Sequence, residues 1–345
     1  MKKILAVAVA AAFVAPLAAS ANPVLYGRIN TQLVHTDPDG GDAEWDVEDN
    51  TSRLGVRGSE DLGNGLTAIY QFEFAVDSEN TADIGDTGAG GCYAGYCASI
   101  NDVSGAPGRL AYVGLSGGFG TVAIGRQWTP YYNTVDKTDI MQTNSMNDHY
   151  IGLTRVGNAL AYVSPNFNGL TGTLALVISD ELYIDVPSFG PGIGEDVGSD
   201  GIDWWNLSVD YANGPLSVGV SYLASNSGEI NHLLAGPVEL EDYEQWGIGA
   251  KYNFGPFALV GQYESIESDL FGDEETAWGL GGELYLGNNT IRGVYGNVDP
   301  DGGDSEYNWA VGAEHNFSKR TRVYAEYEDH EDSAQRFGIG IRHDF

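Results

Sequence analysis

AQRFGIGIRHDF, residues 334–345, places Phe337, Ile339, Ile341 and Phe345 on one set of alternate positions and Arg336, Gly338, Gly340, Arg342 and Asp344 on the other. Only His343 interrupts the apolar set. A period of two is the mark of a β-strand with one apolar and one wet face. Chain ends that pack against nothing gain nothing from apolar surface, so an aromatic in last position implies that something holds it. Which solvent each face meets decides the fold.

The same alternation recurs along the chain. Leu66, Ala68, Tyr70, Phe72, Phe74 and Val76 alternate with Thr67, Gln71 and Glu73, directly after the turn-like LGNG at 62–65. Trp246, Ile248, Ala250, Tyr252 and Phe254 alternate with Gln245, Gly247, Gly249, Lys251 and Asn253, and Tyr307, Trp309 and Val311 with Asn308 and Gly312. The pattern predicts sixteen strands, near 23–35, 51–61, 66–76, 108–116, 121–127, 151–163, 171–180, 202–212, 216–225, 243–254, 257–266, 275–286, 290–298, 306–317, 321–330 and 334–345. Those at 121–127 and 290–298 alternate poorly. Short connections take turns with long polar ones, the rhythm of a transmembrane barrel with tight turns on one side and long loops on the other. Lipid offers main-chain groups no hydrogen-bond partner, so such a sheet has to close. The expected fold is therefore an all-β, antiparallel up-and-down transmembrane barrel.

The first residues indicate export. Lys2 and Lys3 precede an apolar run from Ile4 to Leu17 and the small-x-small triplet Ala19-Ser20-Ala21, the pattern of a cleaved signal peptide. The expected organisation is a signal at 1–21 and one barrel domain at 22–345. After Leu17 no run reaches the ~18 apolar residues that a membrane helix needs. The 48 glycines, 20 tyrosines and 7 tryptophans suit half-buried strands and tight turns. A net charge of −33 excludes nucleic acid as a partner. The acids gather in candidate loops, DPDGGDAEWDVEDN at 37–50, ESIESDLFGDEE at 264–275 and DPDGGDSE at 299–306, where they solvate the surface. Cys92 and Cys97, in GCYAGYC, read in an oxidising compartment as a disulfide; the spacing is not C-x-x-C, and no histidine lies near enough in sequence to suggest zinc. No metal or cofactor is expected.

Several segments carry a family resemblance: LYGRINTQL at 25–33, SRLGVRGSEDLGNGLTAIYQFEF at 52–74, GRLAYVGLSGGFGTVAIGRQWTPYYN at 108–133, TRVGNALAYVSPNFNGL at 154–170 and the terminal IGIRHDF. Together they resemble the general diffusion porins of Gram-negative outer membranes, trimers of sixteen-stranded barrels. The resemblance implies an outer-membrane setting among lipid and lipopolysaccharide, a homotrimer, and Phe345 as an assembly signal read by the barrel-insertion machinery. It places Arg28, Arg53, Arg109 and Arg155 at the positions of the porin basic wall. Alternation puts Arg53 and Arg57 on one face, and Arg126 in GRQWTP is a further candidate. By pattern alone these are equally ordinary lumen charges or partners of carboxylates. The segment 128–150, WTPYYNTVDKTDIMQTNSMNDHY, resembles the porin loop that folds into the lumen, with Asp136, Asp139 and Asp148 as its acids. It lacks the Pro-Glu-Phe-Gly-Gly-Asp run of some enterobacterial porins.

The expected function is passive diffusion of ions and small hydrophilic solutes through a water-filled channel narrowed between arginines and an acidic loop. A channel selective for one sugar or anion is the alternative, with Tyr131, Tyr132 and Trp204 as material for an aromatic track. An outer-membrane hydrolase is disfavoured, because the six histidines are scattered and neither G-x-S-x-G nor H-E-x-x-H occurs. Acidic mouths and a basic constriction predict a modest cation preference at low salt that fades as salt rises.

Overall fold

The computed structural model describes residues 23–79, 92–93, 96–97, 108–143, 146, 149–178, 184–185, 201–225, 228–232, 236–240, 243–268, 272–300, 305–331 and 333–345. The signal at 1–21 and Asp148 lie outside them. Sixteen strands form the wall: β1 (Val24–Pro38), β2 (Arg53–Gly63), β3 (Leu66–Ala75), β4 (Gly108–Gly117), β5 (Gly120–Trp128), β6 (Arg155–Val163), β7 (Leu170–Val177), β8 (Trp204–Asn213), β9 (Leu216–Ser225), β10 (Glu244–Asn253), β11 (Phe257–Ser268), β12 (Gly272–Leu286), β13 (Asn289–Pro300), β14 (Glu306–Asn316), β15 (Thr321–His330) and β16 (Ala334–Asp344). Each pairs antiparallel with its neighbours in sequence. The barrel closes where β16 pairs with β1, Arg28 opposite Asp344 and Pro38 opposite Ala334.

Alternation assigns the two faces. Ile339 and Ile341 on β16, Leu25, Ile29 and Leu33 on β1, and Val220, Ile248, Leu259 and Leu280 further round are all exposed on the outside. An apolar outer surface of this extent suits hydrocarbon. Tight turns close one rim. Between β2 and β3, Asn64 and Gly65 have φ of 52° and 77°, the left-handed pair of a two-residue hairpin turn, which glycine and asparagine tolerate.

The strand count agrees with expectation, and the departures have local causes. Residues 151–154, expected in a strand, belong to the segment that returns to the wall before β6. The poor alternation near 290–298 arises because Val294 is buried on the inner face, in one apolar cluster with Val260, Ala310, Ile140, Met141 and Met146. In β5 the register shifts between Gly125 and Gln127. Glu44–Asp49, read as acidic loop, pairs with Thr31–Thr36 of β1 and extends the wall beyond β2. The backbone sets Cys92 opposite Cys97 in a short ladder, and the expected disulfide falls on side chains outside the described residues.

The seam explains the aromatic end. Phe345 N donates to the Gly27 carbonyl at 3.0 Å, and Gly27 N returns a bond to Phe345 O at 3.1 Å. A Cβ on Gly27 would fall 2.8 Å from the Arg53 carbonyl and onto the Phe345 ring. Gly27→Val should therefore destabilise the barrel by about 1–3 kcal/mol through overpacking. Urea unfolding in lipid vesicles checks this, with Gly172→Val, where a Cβ meets only Ser164 Oγ at 3.9 Å, as the tolerant control.

Candidate pore constriction

Basic groups gather on the inner face of β1, β2, β4, β15 and β16, with Glu73 of β3 among them. Arg28 stands opposite Arg53 across one pairing and opposite Asp344 across the other. Asp344 draws three guanidinium groups together, Arg28 at 3.1 Å, Arg342 at 3.1 Å and Arg322 at 3.3 Å. Glu73 on β3 holds two more, Arg109 at 2.8 Å and Arg53 at 3.6 Å, and accepts the Tyr26 hydroxyl at 2.9 Å. The register shift between Glu73 and Phe74 leaves Arg109 as the extra residue of β4, which turns it to Glu73. Five arginines therefore share two carboxylates in these ion pairs, which leaves the group a positive excess.

Of the other predicted arginines, Arg155 stacks over Trp128 at 4.7 Å from the ring centre, with Arg109 also over that ring at 5.6 Å. Arg57 lies over Tyr26 at 4.8 Å. Arg126 stands apart from the Glu73 group: its Nε donates to the Gly108 carbonyl at 2.7 Å. Sequence reasoning missed Glu73, Arg322 and Trp128, and used Arg342 and Asp344 only to assign a face. Glu73 had a legible signal, inward parity on β3 between the strands of Arg53 and Arg109, whereas the register shift in β5 hid the setting of Trp128.

The described residues between β5 and β6 make their contacts with inner-face side chains of the wall. Thr129 caps α1 (Pro130–Val135), its Oγ1 accepting from Tyr132 N at 3.0 Å, with proline at the helix start. From α1 onward the segment is held by wall side chains in turn. Asn206 Oδ1 on β8 accepts from Tyr131 N at 2.7 Å, and Asp210 from Thr134 Oγ1 at 2.8 Å. Gln262 on β11 accepts from Lys137 N and Thr138 N at 2.9 and 3.0 Å. Glu326 on β15 accepts from Gln142 N and, at 2.7 Å, from Thr143 N. Arg342 then reaches the Gln142 side chain at 3.3 Å. Inward glycines make room for this path: a Cβ would meet Lys137 at 2.8 Å on Gly249, Thr138 at 3.0 Å on Gly279 and Ile140 at 2.9 Å on Gly281. His149 sits over Gly296, where burial lowers its pKa to about 4 and keeps it neutral.

Asp136 and Asp139 lie together on the turn after α1, with Asp139 N donating to Asp136 Oδ1 at 3.2 Å. Burial, then the neighbouring Asp139, pushes the Asp136 carboxyl well above its usual range. Tyr132 lies between these acids and the basic wall. Its hydroxyl is 3.4 Å from Asp139 Oδ2 and its ring stacks on Trp128 at 4.6 Å. Burial and the two acids raise its pKa, while Arg155 and Arg109 oppose the shift. Tyr131 and Trp204, considered for an aromatic track, are instead buried in the core between α1 and the wall. Among the described residues no group of three or more His, Cys, Asp or Glu is arranged to hold a metal.

The sequence pattern of the Gram-negative porins matches residues 5–335. The chain belongs to the Gram-negative porin family. Outer membrane porin protein 32 of Delftia acidovorans is 28% identical, over 94% of this chain and 87% of its own. The major outer membrane protein P.IB of Neisseria meningitidis serogroup A is also 28% identical, over 96% of each chain. Among solved structures, the anion-selective porin from Comamonas acidovorans superposes with a TM-score of 0.72 at 22% identity, over 94% of this chain and 99% of that one. The OmpF of Salmonella typhi, in complex with daunomycin, gives 0.70 at 16% identity, over 94% and 97%. This porin is thus an outer-membrane diffusion channel rather than an enzyme. Its inner segment depends on Glu326, which takes two successive amides. Glu326→Ala should accelerate hydrogen exchange at Gln142 and Thr143 by about tenfold or more relative to the wall strands.

Proposed function

We propose that this porin is a general diffusion channel, narrowed between the arginines held on Glu73 and Asp344 and the turn carrying Asp136 and Asp139. The observation that carries the reading is the sharing of two carboxylates by five arginines on one side, with an acid-bearing segment packed around the other. Opposed charges put a transverse field across the water between them. Polar solutes orient in that field, whereas apolar ones must displace ordered water. No covalent step is involved, and conduction requires only binding weak enough to leave.

Ionic preference follows from where the charges sit. Carboxylates in the long loops concentrate cations at the mouth and are screened by salt, while the less exposed arginines favour anions at the narrow part and are screened less. The cation preference at low salt therefore fades as salt rises. The solved neighbour described as an anion-selective porin supports the second half of this balance.

A homotrimer belongs to the same reading. Large exposed residues on β10, β13 and β14 include Trp246, Tyr295, Tyr307 and Trp309, suited to a lipid interface. On β1, β4, β5 and β16 they are aliphatic: Leu25, Ile29, Val113, Leu115, Val122, Ile124, Ile339 and Ile341. The same sector also exposes Phe72 on β3 and Phe345 beside β16, so the homotrimer rests on kinship: one solved neighbour, OmpT of Vibrio cholerae, is described in a trimer form. The signal peptide, lipopolysaccharide contacts and recognition of Phe345 by the insertion machinery belong to the same reading.

Planar-bilayer recording tests it. Large ohmic steps in triplets, with a weak cation potential that declines with salt, support an open trimeric pore; block by one sugar or anion at low concentration replaces it with a selective channel. Asp139→Asn should shift the zero-current potential toward anions, and Asp136→Asn should shift it less, because a carboxyl with a raised pKa carries less charge at neutral pH.

A further inference from the structure

We propose that the turn between β14 and β15, with Lys319 and Arg320 at its tip and Phe317 beside them, is a docking site for an anionic phospholipid of the periplasmic leaflet, whose phosphate the two basic side chains hold. Such a site lies on the outer rim and does not depend on how the lumen selects ions.

Short turns mark the periplasmic end of an outer-membrane barrel. Seven of them join β2–β3, β4–β5, β6–β7, β8–β9, β10–β11, β12–β13 and β14–β15. The residues between those strands are NG, GF, SPNFNG, GP, FGP, GN and FSKR, so six turns carry no charge of either sign and the last carries two positive ones. On a chain of net charge −33, two adjacent cations at one point of the rim reverse the local sign. Lys319 and Arg320 are both exposed, and neither enters an ion pair among the described residues. The turn holds them in place: Ser318 Oγ accepts from Arg320 N at 3.1 Å and Thr321 N at 3.0 Å, and Phe317 N donates to the Thr321 carbonyl at 3.0 Å.

The surroundings match a lipid headgroup with its chains. Phe317 is 64% exposed, with the His315 ring edge-on to it at 4.8 Å. His343, the residue that breaks the apolar alternation of β16, lies at the same level: it is the ladder partner of Thr321, and its Nδ1 meets Thr321 Oγ1 at 2.9 Å. A polar pair on the outer face there suits headgroups, and an aromatic ring beside it suits the boundary with hydrocarbon. Acids on either side are absent or engaged. The neighbouring turn at 287–288 is uncharged. Asp344, whose N–H bonds the Arg320 carbonyl at 2.8 Å, gives its carboxylate to Arg28, Arg322 and Arg342, and Glu314 gives its own to Arg292. Salt screens charges beyond about 8–10 Å, so these neighbours, rather than the net charge, set the field at the turn. The lysine and the arginine then attract an anionic headgroup, and an acyl chain rests on Phe317.

The test titrates the folded porin in detergent with phosphatidylglycerol, phosphatidylcholine or glycerol phosphate and counts bound molecules by native mass spectrometry. Phosphatidylglycerol should bind about tenfold or more tightly than phosphatidylcholine, whose phosphate is balanced by its own cation, and added salt should narrow the gap. Lys319→Gln and Arg320→Gln should each weaken it by about fivefold, and the double variant should lose most of the preference. The swap Lys319→Arg/Arg320→Lys keeps both charges and should keep the preference. Should the double variant not fold, the single variants and the salt dependence of the wild type carry the same expectations. Equal binding of the two lipids, a preference indifferent to salt, or a double variant that retains it overturns the proposal. Glycerol phosphate bound as tightly as the lipid makes the turn a site for a free phosphate compound and overturns it too. So does a double variant with unchanged lipid binding whose subunits separate, or whose assembly by the insertion machinery fails, because the turn is then a protein contact.

Discussion

Within hydrocarbon, each main-chain N–H and C=O has to find its partner inside the wall, and the rest of this structure depends on that constraint. An open sheet would leave two edges unpaired in lipid. Here the last strand returns to the first over eleven residue pairs, from Arg28–Asp344 to Pro38–Ala334. Phe345 adds two further main-chain bonds to Gly27. Closure in turn forces alternation: one face of every strand meets lipid and the other the interior. It also gives Arg28 its surroundings, because the seam is what sets Asp344 beside it. The barrel's closing strand and its charge cluster are therefore one feature.

The described residues between β5 and β6 lie against inner-face side chains of that closed ring. Their seating follows a division of labour on the inner face. Glycines at 249, 279, 281 and 296 remove bulk where the segment passes, while Gln262 and Glu326 supply acceptors for amides that no helix or strand satisfies. Val260, Val294 and Ala310 make the same face apolar where Ile140 and Met146 rest on it. The described residues of the segment are thus held by the wall at several points rather than at its ends alone.

These contacts explain what could and could not be read from sequence. The number of wall strands and their lipid faces were legible because alternation is a local property, as with Ile339 and Ile341 or Phe72 and Phe74. It failed near 290–298 because Val294 faces the interior yet is covered, so an inward position there is apolar for a reason that lies over 140 residues earlier in the chain. The arginines were legible as inward charges with family precedent, but not their partners. Glu73 meets Arg109 only through a register shift, and Asp344 meets Arg28 only through closure. Neither follows from counting positions within one strand. Tyr131 and Trp204 looked as available as Tyr132, and only the course of α1 separates the buried pair from the ring beside the arginines.

Gathering five arginines on one wall is unfavourable in itself, since like charges at short range repel and burial strips their hydration. Several features make it sustainable. The guanidinium group is planar and weakly hydrated, so it stacks on an aromatic face as well as binding a carboxylate, as Arg109 does with Trp128 and Glu73. Glu73 and Asp344 fix the geometry without neutralising the set, because each carboxylate is shared by more than one arginine. The side chains also keep some contact with water, Arg28 and Arg53 being 20% and 18% exposed. Full pairing would stabilise the wall further and abolish its field; no pairing would let the arginines splay. A cluster held at partial neutralisation keeps both a fixed shape and a net positive charge.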